Sequence, residues 1–92
     1  MAMAEESLTK AVFTTVFVIE NKSPIIYVSH DMDGDWQFFG SEKNVEIDKA
    51  RIVSLGEIIE MDPSVKVVLD MPKGTDAHRK SPKSEWVRIT RN

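Results

Sequence analysis

His30-Asp31-Met32-Asp33-Gly34-Asp35-Trp36-Gln37-Phe38-Phe39-Gly40 crowds three carboxylates, a glycine turn and three aromatics into eleven residues. Asp and Gly supply the backbone chemistry of a tight turn. The four residues after the turn, Trp36-Gln37-Phe38-Phe39, read as a strand in which Trp36 and Phe38 share one face by period-two alternation. Ile25-Ile26-Tyr27-Val28, ahead of the turn, reads as another. The run is therefore expected to be a hairpin turn that delivers an aromatic strand to a sheet.

Outward from this hairpin, residues 11–19 are rich in β-branched and aromatic types, which is strand composition. Asn21-Lys22-Ser23-Pro24 is a turn signal, so residues 11–19 and 25–28 are expected to pair with each other. Residues 48–53 read as a further short strand with Ile52 and Val53 as its apolar part. Ser54-Leu55-Gly56-Glu57 is a capping-box pattern, and Leu55, Ile58 and Ile59 fall on one helical face. A second helix start lies at Asp62-Pro63, with Val65, Val68 and Leu69 as its buried stripe and Met71-Pro72-Lys73-Gly74 as its end. Residues 75–84 read as a polar loop, and residues 85–90 as an edge strand with Trp86 and Ile89 on opposite faces. The expected fold is α+β: an antiparallel sheet of four to five strands with two short helices packed on one face. Residues 1–9 are expected to be a disordered tail and residues 10–92 a single domain.

Ninety-two residues is one domain's length. The chain has no cysteine, which excludes a disulfide scaffold, a thiolate metal site and a cysteine nucleophile. The start, Met1-Ala2-Met3-Ala4-Glu5-Glu6, is acidic where a secretory signal would be basic. The longest apolar run is far too short to span a bilayer. A soluble cytoplasmic protein without a membrane partner is expected. The net charge of −3 is unevenly spread. Residues 31–70 carry ten acids and four bases, whereas residues 71–92 carry two acids and six bases. The basic end is expected to fold back and partly neutralise the middle. An acidic chain without interleaved aromatics in that basic end argues against nucleic acid.

The acidic turn invites a calcium reading. Asp31, Asp33 and Asp35 stand at positions 1, 3 and 5 of a twelve-residue loop and Glu42 at position 12. The sharp-turn glycine of such a loop is here Trp36, which resists positive φ, and the flanks read as strands. A hairpin with solvated carboxylates is the expectation, and no metal or cofactor is assigned. Ser29, His30 and Asp31 have the residue types of a nucleophilic triad, but neighbours in an extended chain point to opposite faces. No catalytic residue is assigned. Trp36 and Trp86 read as core or sheet-covering residues.

Asp33, Trp36, Phe38, Phe39, Gly40 and Glu42 resemble the first half of a pattern found in small bacterial proteins. Asp62-Pro63-Ser64-Val65, Leu69-Asp70-Met71-Pro72-Lys73-Gly74-Thr75, Arg79 and Trp86 resemble its second half. Those proteins are similar to the immunity-protein-33-like family, formerly a domain of unknown function. The chain departs from the pattern at Gly34-Asp35, where Ser-Gly is usual, and in the short spacing from Gly40 to Glu42. The resemblance implies a non-enzymatic, protein-binding domain, in its sharpest form one that neutralises a bacterial toxin. The candidate binding surface comprises His30, Asp31, Asp33, Asp35, Trp36, Glu42, Arg79 and Trp86. The alternative is a small-molecule or metal-binding module using the acidic turn, residues 30–42.

Overall fold

Trp36–Phe39 is a strand, with Trp36 and Phe38 wholly buried and Gln37 and Phe39 half-exposed on the other side. The alternation read from the sequence thus sets which way the sheet faces. The computed structural model describes residues 8–42 and 46–90. Most of the expected N-terminal tail lies outside the described residues.

The elements in chain order are β1 (Ala11–Thr15), α1 (Val16–Glu20), β2 (Tyr27–His30), β3 (Trp36–Phe39), β4 (Ala50–Ser54), α2 (Leu55–Met61), β5 (Thr75–His78) and β6 (Val87–Thr90). Two 3-10 helices, Ile47–Lys49 and Pro63–Val68, precede β4 and follow α2. The fold is α+β. Its sheet has six strands in the order β4-β1-β3-β2-β5-β6, more than the four to five expected. It is mixed, because β1 runs parallel to β3 while every other pair is antiparallel.

The β2–β3 hairpin forms as its turn residues dictate. Gly34 takes φ 92°, which glycine adopts without a Cβ penalty. The Asp31 carboxylate accepts from the amides of Asp33 and Asp35, both at 3.0 Å. The expected pairing of residues 11–19 with 25–28 does not occur. The strand stops at Thr15, whose hydroxyl accepts from the Val18 amide at 3.3 Å and caps α1. Local capping overrides the strand composition of Val16-Phe17-Val18-Ile19, and the helical turn places Val18 in the core. The segment after α1 then carries β2 past the position beside β1, and β3 folds back into the vacant slot.

A second correction concerns residues 75–84. Thr75, Asp76 and Ala77 are buried in β5, an internal strand, not a loop. Gly74 enters it at φ 84° and donates its amide to the His30 carbonyl at 2.7 Å.

Val12, Val28, Trp36, Phe38 and Ala77 project from one face of the sheet. Val18, Leu55, Ile58, Val65 and Val68 from the helical segments close over them. The Ser54–Glu57 capping box is present in full. Asp62 caps the next segment, with Oδ1 accepting from the Ser64 amide at 3.1 Å. The basic end does fold back: Arg79 pairs with Asp62 and Arg88 with Asp70, each at 2.9 Å.

Two substitutions measure these contributions. Ser54→Ala is expected to cost about 1 kcal/mol through loss of the cap. Arg79→Ala strands a largely buried carboxylate and should cost roughly 3–5 kcal/mol. Urea unfolding midpoints followed by tryptophan fluorescence check both. Equal losses for the two variants would contradict this ranking.

Candidate functional site

The eight residues expected to form a surface do not form one. His30 and Trp36 point into the core. Their rings stack at 3.9 Å, and His30 Nδ1 lies 2.8 Å from the Met71 carbonyl. A carbonyl can only accept, so Nδ1 carries the proton. Arg79 is 4% exposed, and five hydrogen bonds engage its guanidinium. Trp86 is half-buried beneath it, with the guanidinium carbon 4.1 Å from the ring centre. Arg79 and Trp86 are thus brought together, at the opposite end of the sheet from the acidic turn. Asp31, Asp33 and Asp35 remain together in the turn. Glu42 lies past the far end of β3, where its Oε2 accepts from Ser23 Oγ at 2.6 Å. The twelve-residue cation loop therefore does not close. The Asp31 carboxylate instead serves its own turn, also receiving Gln37 Nε2 at 3.4 Å. Among the described residues no set of three His, Asp or Glu side chains is grouped to hold a metal ion.

The register assembles another surface. Ile52, Phe13, Gln37, Ser29, Asp76 and Ile89 are successive neighbours across the six strands. By alternation they share the sheet face opposite the core. Tyr27, Phe39, His78 and Val87 lie on the same face in the adjoining row. Among the described residues no helix packs against it, since α1, α2 and the Pro63–Val68 helix send their buried residues into the cluster on the other side. Large apolar side chains stand open there: Ile52 is 65% exposed, Val87 52% and Ile89 48%. Tyr27 and Phe39 stack at 6.1 Å, and the Tyr27 hydroxyl donates to Asp76 Oδ2 at 2.7 Å. Near the Phe39 end, Thr15, Tyr27, Phe39, Gly40, Glu42, Glu46, Ile47 and Ala50 line a groove of about 450 Å³.

This face was open to detection. Val12-Phe13, Tyr27-Val28 and Phe38-Phe39 are adjacent apolar residues within strands. Adjacent apolar residues mean that both faces carry apolar side chains. A face with one polar and one apolar side shows strict alternation instead.

The face's polar anchor can be tested. Tyr27→Phe is expected to destabilise by about 1 kcal/mol, the worth of a typical net hydrogen bond. Denaturant titration measures it, and an unchanged midpoint would show that the Asp76 contact contributes nothing.

Among the described residues no helix is long and apolar enough to cross a membrane. No family model matches the chain, and no curated protein or solved structure matches it either. The reading of the open face accordingly rests on its own geometry and chemistry.

Proposed function

We propose that this chain is a non-enzymatic protein-binding domain that engages its partner through the open face of the sheet. The observation that carries this reading is the set of exposed apolar side chains at the two edges of that face, Ile52 on β4 and Val87 and Ile89 on β6, on a face with acidic groups at both ends. Large apolar side chains left open together on one sheet face are a mark of interaction sites. Apolar side chains bordered by charged groups are common in binding patches. Asp31, Asp33 and Asp35 form the rim at one end, and Glu42, Glu46 and Asp48 at the other. Residues 31–48 hold six acids and one base, so a partner with a basic periphery is favoured. A second copy placed face to face would juxtapose carboxylates at both ends, which disfavours self-pairing.

Toxin neutralisation in a bacterial cytoplasm is the narrower form of this proposal, supported by the resemblance to immunity-protein-33-like domains. Much of that pattern serves the fold: Asp62 caps, Gly74 takes positive φ, Arg79 braces and Trp36 fills the core. The resemblance therefore supports the architecture more directly than the identity of a partner.

The test is selection from a random peptide library on the immobilised domain. Enriched peptides should combine apolar with basic residues. They should lose roughly tenfold or more in affinity against Ile52→Ser/Ile89→Ser. Both side chains are about half exposed or more, so the variant should stay within about 1 kcal/mol of the parent. Peptides that bind parent and variant equally, or no enrichment, would count against the proposal. For a cognate toxin, Asp33→Lys/Asp35→Lys should slow association at low salt. An association rate indifferent to this reversal would remove the electrostatic part.

A further inference from the structure

We infer that β6 is the edge along which two copies of this chain pair, strand to strand and antiparallel, about a two-fold axis at Ile89. This goes beyond the partner-binding reading, because edge pairing leaves the open face uncovered in both copies. Strand alternation decides which backbone groups the edge presents. The Asp31 amide donates to the Asp35 carbonyl and the Arg79 amide to the Ile26 carbonyl, each at 3.0 Å. Successive residues of a strand aim their N–H and C=O to alternate sides. Carried along the register, that alternation turns Ala77 of β5 toward β2, and Asp76 and His78 toward β6. Their partners Ile89 and Val87 face back to β5. The main-chain N–H and C=O of Arg88 and Thr90 therefore point out of the sheet. All four residues of β6 are exposed, and among the described residues no further strand lies beyond it.

An open edge is a template for another strand, and proteins commonly blunt it with charge, proline or a bulge. The opposite edge, β4, is blunted. The Leu55 amide donates to the Lys10 carbonyl, and the same alternation turns the Ala50 carbonyl outward. Arg51 Nη1 occupies that carbonyl at 2.8 Å. β6 carries no such guard. It holds neither proline nor lysine. Its one charged side chain, Arg88, is turned to Asp70 at 2.9 Å and to the Val67 carbonyl at 2.8 Å. The described chain begins at Leu8, whose carbonyl accepts from Gly56 of α2, on the β4 side of the molecule.

A second copy fits this edge group by group. With Ile89 on the axis, the Arg88 amide donates to the Thr90 carbonyl of the second copy, and the Thr90 amide to its Arg88 carbonyl. Symmetry repeats both bonds. Ile89 then faces Ile89 of the second copy at a non-hydrogen-bonded position, where cross-strand side chains are closest. Val87 lies diagonal to that pair. These two side chains are 48% and 52% exposed in the single chain, so one occupant covers both the open ladder and the apolar groups beside it. Charge is compatible as well. Arg88 stands opposite the neutral Thr90, and its own charge is answered by Asp70. No like charges meet across the ladder. Closed two-fold dimers are the commonest assemblies of identical chains. Pairing here moves the apolar side chains of the β6 edge to the middle of a doubled sheet.

The experiment is sedimentation equilibrium of the full chain. So short a ladder predicts weak pairing, with a dissociation constant on the order of 100 µM. Thr90→Pro removes an outward N–H and spares the β5 ladder. It should weaken the dimer roughly tenfold or more with the melting temperature little changed. Ile89→Cys gives a second test that needs no proline, in a chain without any other cysteine. Non-hydrogen-bonded antiparallel partners stand about 4.5 Å apart at Cα, within the span of a disulfide. Under mild oxidation Ile89→Cys should cross-link into dimers several times faster than Ile52→Cys, whose native side chain is the more exposed of the two. A chain still monomeric at about 1 mM, a folded Thr90→Pro variant that dimerises like the parent, or equal cross-linking at both positions would overturn the inference. Failure here is separable from failure of the wider reading. A strictly monomeric chain whose library-selected peptides still need Ile52 and Ile89 would lose the edge pairing and keep the face as a binding surface.

Discussion

The guanidinium of Arg79 is the interaction on which the rest of the fold depends. All five of its N–H donors are used: Nε and Nη2 on the Ile25 carbonyl, Nη2 on Asp62, and Nη1 on Ser64 Oγ and the Pro82 carbonyl. These partners belong to three separate segments: the chain entering β2, the start of the Pro63–Val68 helix, and the turn that leads to β6. A buried cation is tolerated only when its desolvation is offset by such a complete set. Trp86 covers the guanidinium plane, and its Nε1 donates to the Ser64 carbonyl at 3.4 Å. Asp62 divides its two oxygens, one capping the helix and one pairing with Arg79. Asp62, Ser64, Arg79 and Trp86 are thus one structural unit spread over the second half of the chain.

Local chemistry made much of the fold legible. The 31–35 turn, the Trp36 and Phe38 face, the Ser54 capping box and the Asp62-Pro63 start are each decided by residues close in sequence. One misreading is itself local, a cap that outweighs strand composition, and the others occur where neighbours distant in sequence decide. Val16-Phe17-Val18-Ile19 has strand composition, but Thr15 caps a helical turn and the core accepts Val18. Thr75-Asp76-Ala77-His78 lacks an apolar pattern, yet becomes an internal strand because β2 and β6 supply its ladders on both sides. No local signal shows that β1 will lie parallel to β3.

The site followed the same division. Chemically conspicuous residues drew the reading to His30, Trp36 and Arg79, and all three turned inward because large or multivalent side chains are also the best material for a core or a brace. The open face is built from inconspicuous residues, Phe13, Tyr27, Phe39, Ile52 and Ile89, which only the strand register brings side by side. The acidic character was legible, but its division between two ends of one sheet was not. That division sets carboxylates at both ends of a face whose two edges carry the exposed apolar side chains.

The placement of β1 has a consequence for how the molecule comes together. Its neighbours are β3, reached across 24 residues in the Thr14–Phe38 hydrogen bond, and β4, which follows β3 in the chain. The β2–β3 hairpin closes across one short turn and needs no other part of the molecule for its register. The first of these six strands to be synthesised is therefore among the last to acquire both its partners. Loop-closure entropy must be met before those pairings reward it. Sheet growth outward from the hairpin is the route that meets this cost in the smallest steps, with the N-terminal strand joining β3 and β4 into a single sheet.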